Sequence, residues 1–271
     1  MPSLRSLSLN KNPPSSSAAV RDAGDIGPMR LLRYGAAAAV PGPRDALARF
    51  EVLDGMAAVA SSRLPPGDIR WPGRLRASEN RGMEHLSRQR LEAGLGQIRE
   101  SPRDAGQIVL VVRRPEVGVR ELPREVMLDP VDGLAGDNWL ARGSTRTPDG
   151  SADPWRQVTV MNARVAELVA GGRDRMPLAG DQLYIDLDLS VDNLPAGSLL
   201  VAGQAVLQVS DAPHLGCAKF VERFGAEAMR FVNSRVGRKL RLRGMNARVV
   251  QPGLVRPGDR ATRPHLAARQ R

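Results

Sequence analysis

Across residues 203–232 the apolar pattern changes period, and that change restricts the folds open to the chain more than any other feature. Ala205, Leu207 and Val209 alternate with other residues, the spacing of a half-buried strand. Phe220, Phe224, Ala228 and Phe231 then recur every three or four residues, with Val221 and Val232 beside them, the spacing of an amphipathic helix. Asp-Ala-Pro-His-Leu-Gly-Cys at 211–217 lies between, so a strand hands over to a helix within a residue or two of Cys217. This is the single cysteine of the chain. At such a turn, unpaired amide N–H groups and the positive end of the helix dipole favour a thiolate, the nucleophilic and metal-binding form. Lys219 and Arg223 add positive charge nearby. A lone cysteine is also an ordinary small core residue, but this one sits in a Pro/Gly turn and not on an apolar face.

The rest of the ordered pattern consists of short segments cut by Gly and Pro. Residues 108–112 form a continuous apolar run, predicting a strand buried on both faces. Residues 121–128 predict a strand interrupted by Pro123, and 157–161 another, with Asn162 capping a helix that carries Val165, Leu168 and Val169 and stops at Gly171-Gly172. Ser87 caps a shorter helix with Leu91, Leu95 and Ile98 on one side. In 183–190 Leu183, Ile185, Leu187 and Leu189 share one face, which leaves Tyr184, Asp186, Asp188 and Ser190 on the solvated one. Asp129, Asp132 and Asp137 lack the spacing of a calcium loop and are expected as hydrogen-bonded turn carboxylates.

In 240–250 the apolar phase is even at 240 and 242 and odd at 245, 247 and 249, so Gly244 is expected to be a β-bulge. Asn246 and Arg248 then lie opposite Met245, Ala247 and Val249. They either converge on the Cys217 turn or face outward as a polar pair, and the pattern leaves both open. About seven short strands with two or three helices predict a mainly β fold, a closed antiparallel barrel.

Charge divides the chain. Residues 1–82 hold twelve Lys/Arg against seven Asp/Glu, and 235–271 hold eleven against one, so the middle carries −4 of the formal +11. The first 82 residues are Pro-, Gly-, Ser- and Arg-rich without a period, and are expected to be a disordered extension. Residues 83–260 form the barrel domain, and 261–271 a basic disordered tail. The basic C-terminal strip lacks interleaved aromatics, which argues against nucleic acid. No run is apolar enough to span a bilayer, and one cysteine excludes an intramolecular disulfide, as suits a reducing cytoplasm.

Gly-Cys-Ala-Lys-Phe at 216–220, Arg-Phe-Val-Asn-Ser at 230–234, Met-Asn-Ala-Arg-Val-Val at 245–250 and Pro-Gly-Leu-Val-Arg-Pro-Gly-Asp at 252–259 resemble the C-terminal half of a MOSC domain. Asp-Gly-Leu-Ala-Gly-Asp-Asn at 132–138 resembles that family's Gly-Leu-x-Gly-Asp segment, and the pieces occur in the family's order between residues 113 and 260. The resemblance implies a MOSC-type barrel that binds the molybdenum cofactor (molybdopterin) and takes part in redox or sulfur-transfer chemistry. Cys217 would be the catalytic residue, as metal ligand or persulfide carrier. His214, Asp137, Asn138 and Asn246 would belong to the cofactor site, with Arg248 or Arg243 on the pterin phosphate. The chain is too short to include a pyridoxal-phosphate desulfurase, so a separate one is the implied sulfur donor. Two alternatives stand beside this reading. One is a non-enzymatic binding module with a structural cysteine and a basic C-terminal interaction strip; the other, weaker, is a hydrolase using Cys217 and His214.

Overall fold

The computed structural model describes residues 74–76 and 85–264, and both stretches belong to one compact unit. Most of the expected N-terminal extension and tail lies outside the described residues. In chain order the strands are β1 (Arg74–Arg76), β2 (Ala105–Val111), β3 (Val119–Glu121), β4 (Val126–Asp129), β5 (Gly133–Leu134), β6 (Val158–Asn162) and β7 (Leu183–Asp186). β8 (Leu199–Ala202), β9 (Ala205–Val209), β10 (Met245–Gln251), β11 (Gly253–Val255) and β12 (Arg260–Thr262) follow. The helices are α1 (Arg88–Ala93), α2 (Leu95–Arg99), α3 (Trp139–Arg142), α4 (Ala163–Ala170), α5 (Ala218–Asn233) and α6 (Arg235–Lys239), with 3-10 turns at Pro154–Arg156 and Arg173–Ala179.

Seven strands close a barrel in the order β10-β6-β7-β2-β12-β8-β9. The fold is mainly β with a closed barrel, as the strand count predicts. It is not wholly antiparallel, because β6 and β7 run parallel. A parallel pair needs a crossover of a dozen or more residues, and α4 with the 3-10 turn behind it supplies that connection. The final strand reaches Thr262, so the barrel extends past the expected limit at 260. β1, within the stretch expected to be disordered, pairs with β3.

Two apolar cores explain why so many strands are buried on both faces. Inside the barrel lie Ile108, Val111, Val158, Val160, Leu183, Ile185, Leu207 and Ala247. Outside it, α1, α4 and α5 cover Leu110, Val112, Met161 and Tyr184 with Leu91, Val165, Val169, Phe220 and Phe224. This second layer corrects the expected wet face of 183–190. The strand ends at Asp186, Tyr184 is fully buried, and Asp186 is 7% exposed against Arg164 of α4. Period-2 alternation separates two faces; it does not say that one of them is bare.

Local signals place the helices well. Ser87 and Asn162 accept from the backbone N–H of Arg90 and Val165 as N-caps. Pro123 separates β3 from β4, and the two belong to different sheets, not one interrupted strand. Gly244 is not a bulge. It has φ 99° in the turn that leads from α6 into β10, its N–H donates to the Arg241 carbonyl, and a side chain there would run into the Val160 carbonyl oxygen. The phase slip in sequence records that turn. The irregularity within β10 falls between Val249 and Gln251.

Candidate functional site

Cys217 is the N-cap residue of α5, in extended conformation, exposed and without a side-chain capping bond. The loop that carries it is held at many points by other residues. Its start is tied to β10, where the Ser210 N–H donates to the Asn246 carbonyl and the Asn246 side-chain amide donates to the Ala212 carbonyl at 3.0 Å. Arg156 donates to the Pro213 carbonyl, and the Gly216 N–H donates to the Asn233 side chain at 2.9 Å. His214 Nε2 lies 2.8 Å from Asp181 Oδ1.

That last contact opens onto a cluster of buried charge. The end of the second 3-10 turn and the two residues after it, 178–181, present their carbonyls to three arginines. Arg223 donates to Leu178 at 2.7 Å, Arg243 to Ala179 at 3.1 Å, and Arg114 to Gly180 at 2.8 Å. A fourth, Arg120, approaches the same turn: a β-carbon on Gly180 would lie 3.3 Å from its Nη2 and 3.5 Å from Arg223 Nη1. Two carboxylates sit among them. Asp181 is completely buried and binds Arg243 at 2.6 Å, and Asp137 receives Arg114 in a two-pronged pair at 2.8 and 2.9 Å. The Asp137 carboxylate also accepts from the backbone N–H groups of Arg114 and Trp139. Phe220 of α5 lies under the Arg243 guanidinium, 5.0 Å from it.

Four guanidiniums surround two buried carboxylates, with the exposed Glu222 beside Arg223 as a further acidic group. Arg120 donates through Nη1 to the Val119 carbonyl, while its buried Nε has no acceptor; Arg243 Nε and Asn138 Oδ1 are also buried without partners. Burial, then the neighbouring Arg223, brings the Arg120 pKa down to about 10. Burial also lowers that of Arg223, while the nearby charges of Glu222, Tyr184 and Cys217 work in the other direction. The imidazole of His214 is pushed below its ordinary value by burial and by Arg243, so its neutral form is favoured. Burial opposes the charge on Asp181, but Arg243 and His214 outweigh it and hold the carboxyl below its ordinary value. Tyr184 accepts the Asp181 backbone N–H and is held protonated, first by burial and then by Asp181.

Of the residues expected at the site, the structure brings His214, Arg243 and Asp137 into this cluster, and places Asn138 at its edge with its amide N–H on the Arg114 carbonyl. Asn246 holds the cysteine loop. Arg248 is engaged elsewhere: Nε and Nη2 both donate to Gln208 Oε1, and the guanidinium stacks 4.2 Å over Trp155. Sequence reasoning missed Arg114, Arg120 and Asp181, which come from separate elements at no telling spacing. Among the described residues no group of three or more His, Cys, Asp or Glu is placed to hold a metal ion, and no helix is long and apolar enough to cross a membrane.

No family model and no curated protein matches the chain. Solved structures similar to it include the YuaD protein from Bacillus subtilis, at 18% identity and TM-score 0.43, over 58% of this chain and 94% of that one. YiiM from Geobacillus stearothermophilus matches at 18% identity and TM-score 0.41, over 59% and 75%. YiiM from Escherichia coli matches at 19% identity and TM-score 0.40, over 59% and 71%.

Proposed function

We propose that this chain is a MOSC-type domain that binds the molybdenum cofactor beside Cys217 and serves redox or sulfur-transfer chemistry. The observation that carries the reading is the surplus of buried positive charge around Gly180, to which Arg223 contributes from the first two turns of α5, the helix whose start exposes the cysteine. Two guanidinium Nε–H groups without acceptors suit an anionic group such as the pterin phosphate, which Arg114, Arg120, Arg223 and Arg243 would hold by charge-assisted hydrogen bonds. The donor set suits the metal too. A metal that arrives with its own sulfur ligands needs only one from the protein, and a soft thiolate is an apt one.

When bound, that cofactor supplies the oxidation-state changes or the metal–sulfur chemistry that a protein side chain lacks. The chain's own residues bind and orient. Arg243 and Asp181 fix His214, Asn246 and Asn233 fix the loop, and the exposed Sγ of Cys217 is presented at the helix start. The same thiol would carry a persulfide from a separate pyridoxal-phosphate-dependent cysteine desulfurase, in the reducing cytoplasm where an exposed thiol persists. The ordered orphan donors, together with the motifs at 132–138, 216–220 and 245–259, favour this over a module with a purely structural cysteine.

The test is elemental analysis of the purified full chain for molybdenum, with mass spectrometry of Cys217 for an added sulfur. Near-stoichiometric metal that is lost in C217A supports the metal-ligand role, and a persulfide on Cys217 supports the carrier role. Neither signal from a host that makes the cofactor would overturn the reading.

A further inference from the structure

Away from the cysteine loop, α2, the 188–192 loop and α6 enclose a cleft of about 630 Å³ that shares no residue with the guanidinium cluster. This lies within the usual size range of small-molecule sites. Ile98, Leu189 and Leu240 give it an apolar part, and buried Asn162 and Ser190 contribute polar lining. Four cations line it: Arg99 from α2, Arg103 just beyond, and Arg235 and Lys239 one turn apart on α6. Two carboxylates oppose them. Asp188 lies 3.8 Å from Arg103 and Asp192 lies 3.1 Å from Lys239. Arg99 and Arg235 have no carboxylate partner among the described residues, so the cleft keeps two uncompensated guanidiniums.

The walls are braced before any ligand arrives. The Asp188 N–H donates to the Pro102 carbonyl at 2.7 Å, and the Asn193 amide donates to the carbonyls of Arg103 and Asp188. The Val191 N–H donates to the Lys239 carbonyl, joining the loop to α6, and Arg241 holds the loop at the Leu194 carbonyl at 2.6 Å. Little ordering entropy remains to be lost in forming this concavity, a condition for binding a small ligand well.

We propose that this cleft is a second ligand site, for a small organic phosphate of about nucleotide size. Arg99 and Arg235 take the phosphate oxygens, for which the guanidinium fork is suited, and the apolar part takes the organic body. The inference is independent of what Cys217 does.

Calorimetric titration of the full chain with AMP, and with adenosine as the uncharged comparison, tests it at physiological salt. Expected is saturable one-site binding of AMP, much weaker binding of adenosine, and a loss of about tenfold or more in R99E/R235E. The neutral pair R99Q/R235Q, checked by thermal melting to retain the fold, should show a smaller loss in the same direction. C217A should bind AMP as the parent does. Three results overturn the proposal: no saturable AMP binding at millimolar concentration, equal affinity for adenosine, or loss of AMP binding in R120M with R99E/R235E unaffected. The last would move the anion to the guanidinium cluster.

Discussion

Among the described residues two arginine–carboxylate groupings are buried, and they are built on opposite charge balances. Under α4, Arg164 and Asp186 meet through both carboxylate oxygens, at 2.7 and 3.1 Å, and the remaining arginine donor goes to the Gln97 carbonyl. Every charge there has its opposite. Around Gly180, four guanidiniums share two carboxylates, and Arg120 stands in no ion pair among the described residues. A closed pair fixes α4 on the barrel and has nothing left to offer a ligand. An unbalanced cluster costs stability through repulsion and desolvation, and such a cost is tolerated where an incoming anion relieves it.

The largest expected effect separates the two most sharply. D186A leaves Arg164 buried and unpaired, which should lower the unfolding free energy by about 3–5 kcal/mol, read from urea melts. R164M/D186L, which removes both charges, should recover most of the loss. If D186A melts like the parent, the pair is not the lock between α4 and β7 that its geometry indicates.

Next in size is R120M, which should do the reverse. Stability is expected to hold or rise, because a repelled and partly unsatisfied guanidinium is gone. Affinity for a phosphate-bearing pterin should fall by about 1.5–3 kcal/mol, the worth of a charge-assisted hydrogen bond. A loss of stability with unchanged pterin binding would make the second cluster structural and erase the contrast.

A third, smaller effect is a change in the shape of the pH profile. His214 faces Asp181, Arg243 and, at greater range, Arg114, and its folded-state pKa lies below the ordinary 6.5. The unfolded chain therefore binds this proton more readily than the folded one. The stabilising contribution is complete above about pH 6.5 and declines as pH falls from there through the folded value. H214Q cannot titrate, so its stability should fall less than the parent's as pH drops below 6.5. Asp181 is also depressed, but from 3.8, so its contribution is lost only below about that pH. Parallel profiles for H214Q and the parent would show that His214 is not a titrating part of the cluster.

The balanced pair and the unbalanced cluster were also unequally legible in the sequence. Strands, caps and the start of α5 follow from neighbouring residues: Ser87, Asn162 and the period change at Cys217 are local signals. Asp186 looked solvated because alternation with leucines specifies a face, whereas the helical layer that covers it comes from residues far along the chain. The guanidinium cluster is less legible still. Arg114 precedes the turn before β3, Arg120 lies within β3, Arg223 is on α5 and Arg243 follows α6, and only the barrel's closure and the helices across it bring them together. The basic run after 235 enters the sequence reading chiefly as net charge, yet Arg243 is 7% exposed and Arg241 is drawn inward onto the Leu194 carbonyl. Charge counts do not reveal which arginines turn in.

The smallest expected effect concerns the one residue that the sequence marks most clearly. The side chains of Asn246, Arg156, His214 and Asn233 hold the Cys217 loop, and none of these bonds is made to Sγ. Since the thiol is exposed and makes no capping bond, C217A should shift stability by no more than about 0.5 kcal/mol. In the folded parent the thiol should be alkylated fully by iodoacetamide without denaturant. A destabilisation well beyond that size, or a thiol that reacts only after unfolding, would place Cys217 with Asp186 among residues that build the fold. A silent C217A that fails to retain metal or sulfur would place it with Arg120, among residues the fold carries at no structural gain.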